Sequence, residues 1–240
     1  MANFLVCHGA WSGGWSWARM REPIARRGHS LLTPTYTGLG ERSHLRAPMI
    51  DLDLHIADIA GVIEFEDLRK LVLIGHSYGG MVATGVADRM PDRVTMLIYL
   101  DAFVPEDGES VLDLRPAAEA DRMRDQVSGP GDGWRLPPPP LAPDVAEEDF
   151  DWLNQRRSWM PFRTYTQRIK LTGAARDIPG AYIHCTGKSG GDPFKAMAER
   201  IRARPGWRCY ELDAGHTPNI TMPETLAELL DQIVGGGAVH

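Results

Sequence analysis

Leu71-Val72-Leu73-Ile74-Gly75-His76-Ser77-Tyr78-Gly79-Gly80-Met81 is the stretch from which the fold can be read. Four apolar residues in a row predict a fully buried strand. The pattern Gly75-x-Ser77-x-Gly79 follows, and the small and apolar residues from Gly80 onward predict a helix packed on a sheet. A strand turning that sharply into a helix forces the middle residue into strained backbone angles, with its side chain exposed at the turn. Glycines two before and two after are required, because a Cβ at either place would collide with the neighbouring strand and helix. In a chain with 25 glycines the five-residue pattern alone says little. The strand before it and the helix after it are the context that gives it meaning. Ser77 is the candidate nucleophile.

Outward from this turn, strand and helix signals alternate. Strands are expected at Phe4–Cys7, Ser30–Thr33, Leu71–Ile74, Val94–Leu100, Ala181–Cys185 and Trp207–Leu212. Helices are expected at Trp15–Arg27, Asp53–Phe65, after Ser77, and at Pro223–Val234. The rhythm predicts an α/β protein whose mostly parallel sheet of about six strands is flanked by helices. Residues 104–177 break it with Pro116, Gly129-Pro130-Gly131, the run Pro137–Pro140 and Pro143. An acidic helix start (Glu147-Glu148-Asp149) and the aromatics Trp152, Trp159, Phe162 and Tyr165 follow. A proline run by itself reads as a linker. The density of tryptophan instead favours a helical cap over the strand ends, with the core formed by 1–103 and 178–240.

Composition narrows the function classes. A chain of 240 residues is one domain with room for an insertion. A net charge of −6 and a pI near 5.7 leave no basic surplus for nucleic acid. No stretch reaches the roughly 18 apolar residues of a membrane span. The N-terminus has neither a basic start nor a cleavable apolar segment, so export is not expected. Cys7, Cys185 and Cys209 fall in or at the ends of predicted strands, as small buried hydrophobes. No disulfide framework and a cytoplasmic setting are the expectation.

Two further motifs carry chemistry. Ala214-Gly215-His216-Thr217 directly follows the last predicted strand. A serine hydroxyl needs a general base that titrates near neutrality, and His216 is placed for the role. His76, inside the turn, reads as a packing residue. His8-Gly9-Ala10-Trp11-Ser12-Gly13-Gly14 follows the first strand. The oxyanion of acyl transfer needs two preorganised N–H donors, which the amides of Tyr78 and Ala10 would supply.

With these three sites, the chain resembles an α/β-hydrolase. Within that superfamily it is most similar to the compact branch of plant methylesterases and hydroxynitrile lyases, especially their bacterial esterase-like relatives. The resemblance rests on Phe4 to Trp11 with Gly14-Trp15, on the Ser77 turn and on Ala214-Gly215-His216. It implies ester hydrolysis without metal or organic cofactor. It also implies a triad acid just past the penultimate strand, where this chain has Thr186-Gly187-Lys188-Ser189-Gly190-Gly191 and no carboxylate before Asp192. Asp101 ends the strand after the nucleophile helix, with Pro105 four residues on, as the acid does in haloalkane dehalogenases. Asp101 is favoured over Asp192. Hydroxynitrile lyase chemistry would imply a threonine at Gly9 and a lysine at Thr217, so an esterase is the better match. A ligand-binding receptor on the same scaffold is the alternative from another class. The expected partner is a small to medium uncharged ester bound by Gly9, Trp11, Phe103 and Trp159, with a homodimer left open.

Overall fold

Strands that are apolar on both sides need cover on both sides, and that requirement organises the computed structural model, which describes residues 1–141, 145–189 and 191–236. Pro143 and Gly190, singled out above, lie outside the described residues. In chain order, β1 (Asn3–Cys7) leads through a 3-10 segment (Gly14–Met20) to α1 (Arg21–Arg26) and β2 (Ser30–Leu32). Then come α2 (Leu52–Phe65), β3 (Leu71–His76), α3 (Gly79–Arg89) and β4 (Val94–Leu100). Between β4 and the next sheet strand lie α4 (Ala117–Ser128), β5 (Arg135–Leu136), α5 (Glu147–Asn154), β6 (Met160–Pro161) and α6 (Arg163–Thr166). The chain closes with β7 (Gly180–Cys185), α7 (Lys195–Arg202), β8 (Arg208–Leu212), α8 (Pro218–Thr221) and α9 (Pro223–Val234).

Six strands form one parallel sheet in the order β2-β1-β3-β4-β7-β8, while β5 and β6 pair antiparallel on their own. Side chains alternate across the sheet. Leu5, Leu71, Leu73 and Tyr99 join Ile56, Ile59, Met81 and Val86 in one buried cluster. Phe4, Val6, Val72, Ile74 and Ile98 join Trp17, Ile24, Leu226 and Leu230 in the other. Each such side chain contributes roughly 1.5–3 kcal/mol when fully buried.

The expected helix from Trp15 to Arg27 is instead a 3-10 segment followed by α1. Pro23 has no N–H to give to a carbonyl four residues back, so a continuous α-helix cannot run through it. α2 begins one residue earlier than expected, because the Asp51 carboxylate accepts from Leu54 N at 3.1 Å and caps it. α4, α7 and the β5–β6 pair went unread in the sequence.

The register brings the carboxyl ends of the strands level. Cys7 lies opposite Gly75, His76 opposite Leu100, Leu100 opposite Ile183, and Cys185 opposite Leu212. At the end of β3, Ser77 takes a φ of 55°, and at the end of β4, Asp101 takes 43°. Ser77 N donates to Leu100 O at 3.2 Å, and Phe103 N donates to Ser77 O at 3.1 Å, so the two turns are tied together. A Cβ on Gly79 would sit 1.8 Å from Cys7 O, and one on Gly80 would sit 2.0 Å from Phe103 O. α3 therefore touches the end of β1 and the turn after β4 through bare backbone.

Gly79→Ala is expected to cost at least about 2 kcal/mol of unfolding free energy, because backbone rather than a movable side chain stands in the way. Gly61→Ala in α2 meets nothing within 4 Å and should leave stability unchanged or slightly raised. Urea titrations of both variants check the contrast, and equal stabilities would contradict the close approach.

Candidate active site

The residues that follow the level strand ends form one cavity of about 220 Å³. Its wall includes Gly9, Ala10 and Trp11 after β1, Ser77 after β3, and His216 after β8. Gly9 lies so close to the elbow that an added Cβ would be 3.4 Å from Ser77 Cβ. Tyr78 stands immediately ahead of α3, so its amide belongs to the positive end of the helix dipole. The Tyr78 ring stays out of the cavity: it is fully buried, and its hydroxyl donates to His55 Nδ1 at 3.0 Å.

Three contacts fix His216. Its Nδ1 donates to Asp101 Oδ2 at 2.7 Å, which leaves Nε2 as the ring atom able to accept a proton. Its backbone carbonyl accepts from His76 Nε2 at 2.8 Å. The Phe194 ring stacks on its imidazole at 5.1 Å. His76, read above as a packing residue, thus also lines the cavity and holds the histidine loop.

Asp101 is fully buried. Burial pushes its carboxyl up, but the hydrogen bond and charge of His216, with Lys188 behind, outweigh that and hold it below the ordinary carboxylate value. Lys188 Nζ lies 2.7 Å from Asp101 Oδ1 and 2.8 Å from Asp192 Oδ1. Asp192 Oδ2 accepts from His184 Nε2 at 2.6 Å. The two carboxylates that competed for one role in the sequence thus belong to one network, and Asp101 is the one in contact with His216. Asp101, His184 and Asp192 offer ligand atoms within 4.8 Å of one another, a grouping no motif revealed. The Lys188 ammonium already stands between the two carboxylates and supplies the positive charge there.

Of the four residues expected to bind substrate, Gly9 and Trp11 line the cavity. Phe103 does not: its ring packs against Phe194 at 5.0 Å, and the Arg115 guanidinium lies over it at 5.1 Å. Trp159 does not either, because its ring lies under Arg135, facing a separate surface groove with Gly40 and Glu41. Their places in the wall are taken by Pro139, Pro140, Leu141 and Leu153, and by Thr217, Asn219 and Ile220. The residues after His216 could have been read from adjacency. The prolines could not, since composition says nothing of where a run points. The insertion is fastened to the core by Trp11 Nε1, which donates to Leu136 O at 3.2 Å, and by Ser158 N, which donates to Trp11 O at 2.9 Å. The Arg19–Asp149 ion pair and the Trp15–Trp152 edge contact at 5.0 Å add to it.

Burial lowers the pKa of His8, His55 and His76 to about 3 each, so all three are neutral at working pH. His8 and His55 stack on opposite sides of Tyr36, at 3.9 and 4.7 Å.

A family model described as the alpha/beta hydrolase family matches residues 4–229. The carbendazim-hydrolyzing esterase of Nocardioides sp. strain SG-4G is 38% identical over 239 residues, 96% of this chain and 98% of that one. Putative methylesterase 11 of Arabidopsis thaliana is 22% identical over 96% of this chain and 63% of its own. Among solved structures, an extracellular alpha/beta-hydrolase from a Paenibacillus species superposes with a TM-score of 0.86 at 23% identity, covering 100% of both chains.

Two outcomes follow from this geometry. Unfolded, the three histidines take up protons near 6.5, while in the folded state they do so only near 3. Stability is therefore lost as pH falls through that window, by up to about 1.4 kcal/mol per pH unit for each histidine. Asp101, whose lowered carboxyl stabilises the fold only while ionised, adds loss in the same direction. Urea unfolding at pH 7 and pH 4.5 measures this, and a flat profile would contradict the buried neutral state. Separately, Asp101→Asn should lower kcat by about 10⁴-fold, whereas Asp192→Asn should cost within about tenfold. The reverse ranking would assign the imidazole partner to Asp192.

Proposed function

The chain belongs to the alpha/beta hydrolase family and is an esterase of that type. From this premise we propose that it cleaves a small to medium uncharged ester through an acyl-enzyme on Ser77, with His216 as base and Asp101 as its acid partner. The single observation that carries the reading is that Ser77 and His216 share one cavity wall while His216 Nδ1 is anchored at 2.7 Å on the buried Asp101.

His216 Nε2 takes the Ser77 proton as the oxygen attacks the ester carbonyl. The Tyr78 and Ala10 amides stabilise the oxyanion. His216 then protonates the leaving alcohol as the C–O bond breaks, and a water molecule, deprotonated by the same nitrogen, releases the acid from Ser77. The Asp101 carboxylate keeps the proton on Nδ1 throughout and stabilises the transient imidazolium. Every step uses side chains and amides of the chain itself.

A cavity of about 220 Å³ is smaller than the 300–1,000 Å³ typical of drug-sized ligands, which supports a compact substrate. Trp11, Leu141, Leu153 and Ile220 make its wall largely apolar. Residues 104–177 act in this reading as the cap that selects the ester. The burial of Cys7 and Cys185 as small apolar side chains supports a reducing, cytoplasmic setting. Among the described residues, no helix is long and apolar enough to cross a membrane.

Ser77→Ala should lower kcat by about 10⁴-fold or more on p-nitrophenyl acetate while leaving the thermal melt in place. A fluorophosphonate should label the parent at Ser77 and not the variant. Carbendazim, after which the Nocardioides relative is named, belongs in the same ester panel. Binding without turnover across that panel would favour a receptor, and a well-folded Ser77→Ala variant that kept most of its activity would remove the acyl-enzyme.

A further inference from the structure

The far side of the acid is built with more charge than a triad needs. Asp101 divides its two oxygens: Oδ2 accepts from His216, while Oδ1 faces Lys188 Nζ at 2.7 Å and Cys185 N at 3.3 Å. The Lys188 side chain is 6% exposed and the Asp101 side chain 0%. A lysine so buried is tolerated only when paired, and this one is paired twice, its second partner being Asp192 at 2.8 Å. Asp192 in turn is held by His184 Nε2 at 2.6 Å and by Phe194 N at 3.0 Å. Phe194 is also the ring stacked on His216. Lys188 thus touches the acid, and Phe194 touches the base.

We propose that Lys188 and Asp192 form a charge clamp behind Asp101 that governs how strongly the carboxylate holds the imidazolium of His216. The inference rests on the Ser77–His216–Asp101 reading above and assigns the clamp residues a positioning role. Counted over Asp101, Lys188 and Asp192, two carboxylates held below their ordinary values and one ammonium add to minus one. Lys188 draws on the field of Asp101, and Asp192 draws on the field of Lys188. The rings against His216 carry no charge, while the Arg157 guanidinium shares its cavity wall and is unchanged in every variant. His76, at a ring distance of 4.9 Å, is neutral, and Phe194 is uncharged. Tyr182, the other hydroxyl near Asp101, donates to Ala102 O at 3.0 Å and is held un-ionised by burial.

The clamp predicts shifts of opposite sign in the acid limb of the kcat/KM profile, where the base must lose its proton before Ser77 can attack. Lys188→Met leaves Asp101 uncompensated, steadies the imidazolium, and moves the limb to higher pH. Asp192→Asn leaves the Lys188 charge entirely to Asp101 and moves the limb to lower pH. Each unit of movement is a tenfold change in kcat/KM on the acid side, with the alkaline plateau changed far less. Lys188→Met by itself sets the buried Asp101 carboxylate against the half-buried Asp192 carboxylate and risks misfolding. The double variant Lys188→Met/Asp192→Asn restores the net charge of minus one. It should melt near the parent and still carry the limb above that of Asp192→Asn.

The experiment measures kcat/KM on p-nitrophenyl acetate and the rate of fluorophosphonate labelling at Ser77, from about pH 5 to about pH 9, for the parent and these variants. Opposite shifts support the clamp. A uniform loss at every pH with the limb unmoved, or shifts of one sign, overturns it and leaves Lys188 as packing. If the parent itself is not labelled at Ser77, the triad reading fails instead, which separates the two results.

Discussion

The backbone of α3 touches the carbonyl oxygens of Cys7, which ends β1, and of Phe103, just past β4, and the placement of Ser77 and its neighbours descends from that contact. A helix normally stands off a sheet by the length of its side chains. Here Gly79 and Gly80 remove them, so Cys7 O and Phe103 O lie where a Cβ would be. That proximity forces Ser77 into its left-handed turn. It also brings the Gly9-Ala10 loop beside the serine, and ties Ser77 to the β4 turn through Phe103 N and Leu100 O. Ser77 and Asp101 follow adjacent strands, so their spacing is set by sheet geometry rather than by loops.

Charge is then arranged around this frame by burial. Three histidines close to the elbow are forced neutral, while His216 lies at the cavity wall against a carboxylate. One residue type thus meets two settings: an uncharged hydrogen-bonding ring in the interior, and a ring paired with a carboxylate at the cavity edge.

The sequence made the scaffold legible wherever one physical cause dominated. Mostly apolar runs marked β1, β3, β4 and β7, because strands covered on both sides have little room for polar residues. The elbow was legible because only glycine permits the approach. Asp101 was legible as a charge ending an apolar strand, which must find a partner. What escaped depended on reach across the fold. Lys188 looked like one residue of a glycine-rich loop, and nothing local says that its ammonium spans two carboxylates from different elements. Phe103 and Trp159 were apolar and near the site in sequence, yet side-chain direction sent one against Phe194 and the other under Arg135. In the insertion, the β5–β6 pair is two residues per strand, too short for any periodicity to show.

One wall of the cavity is made of Pro139 and Pro140, and Arg157 Nη1 holds it by donating to Pro139 O at 2.7 Å. Proline enters the folded state with φ already fixed. A guest arriving against such a wall has little backbone motion left to arrest, so the ordering penalty that usually accompanies capture is small. The reverse of that economy is inflexibility: a stiff wall cannot reshape itself around a bulkier visitor. Breadth of diet would thus be traded for readiness, and replacing the prolines is where an engineer seeking larger guests would begin.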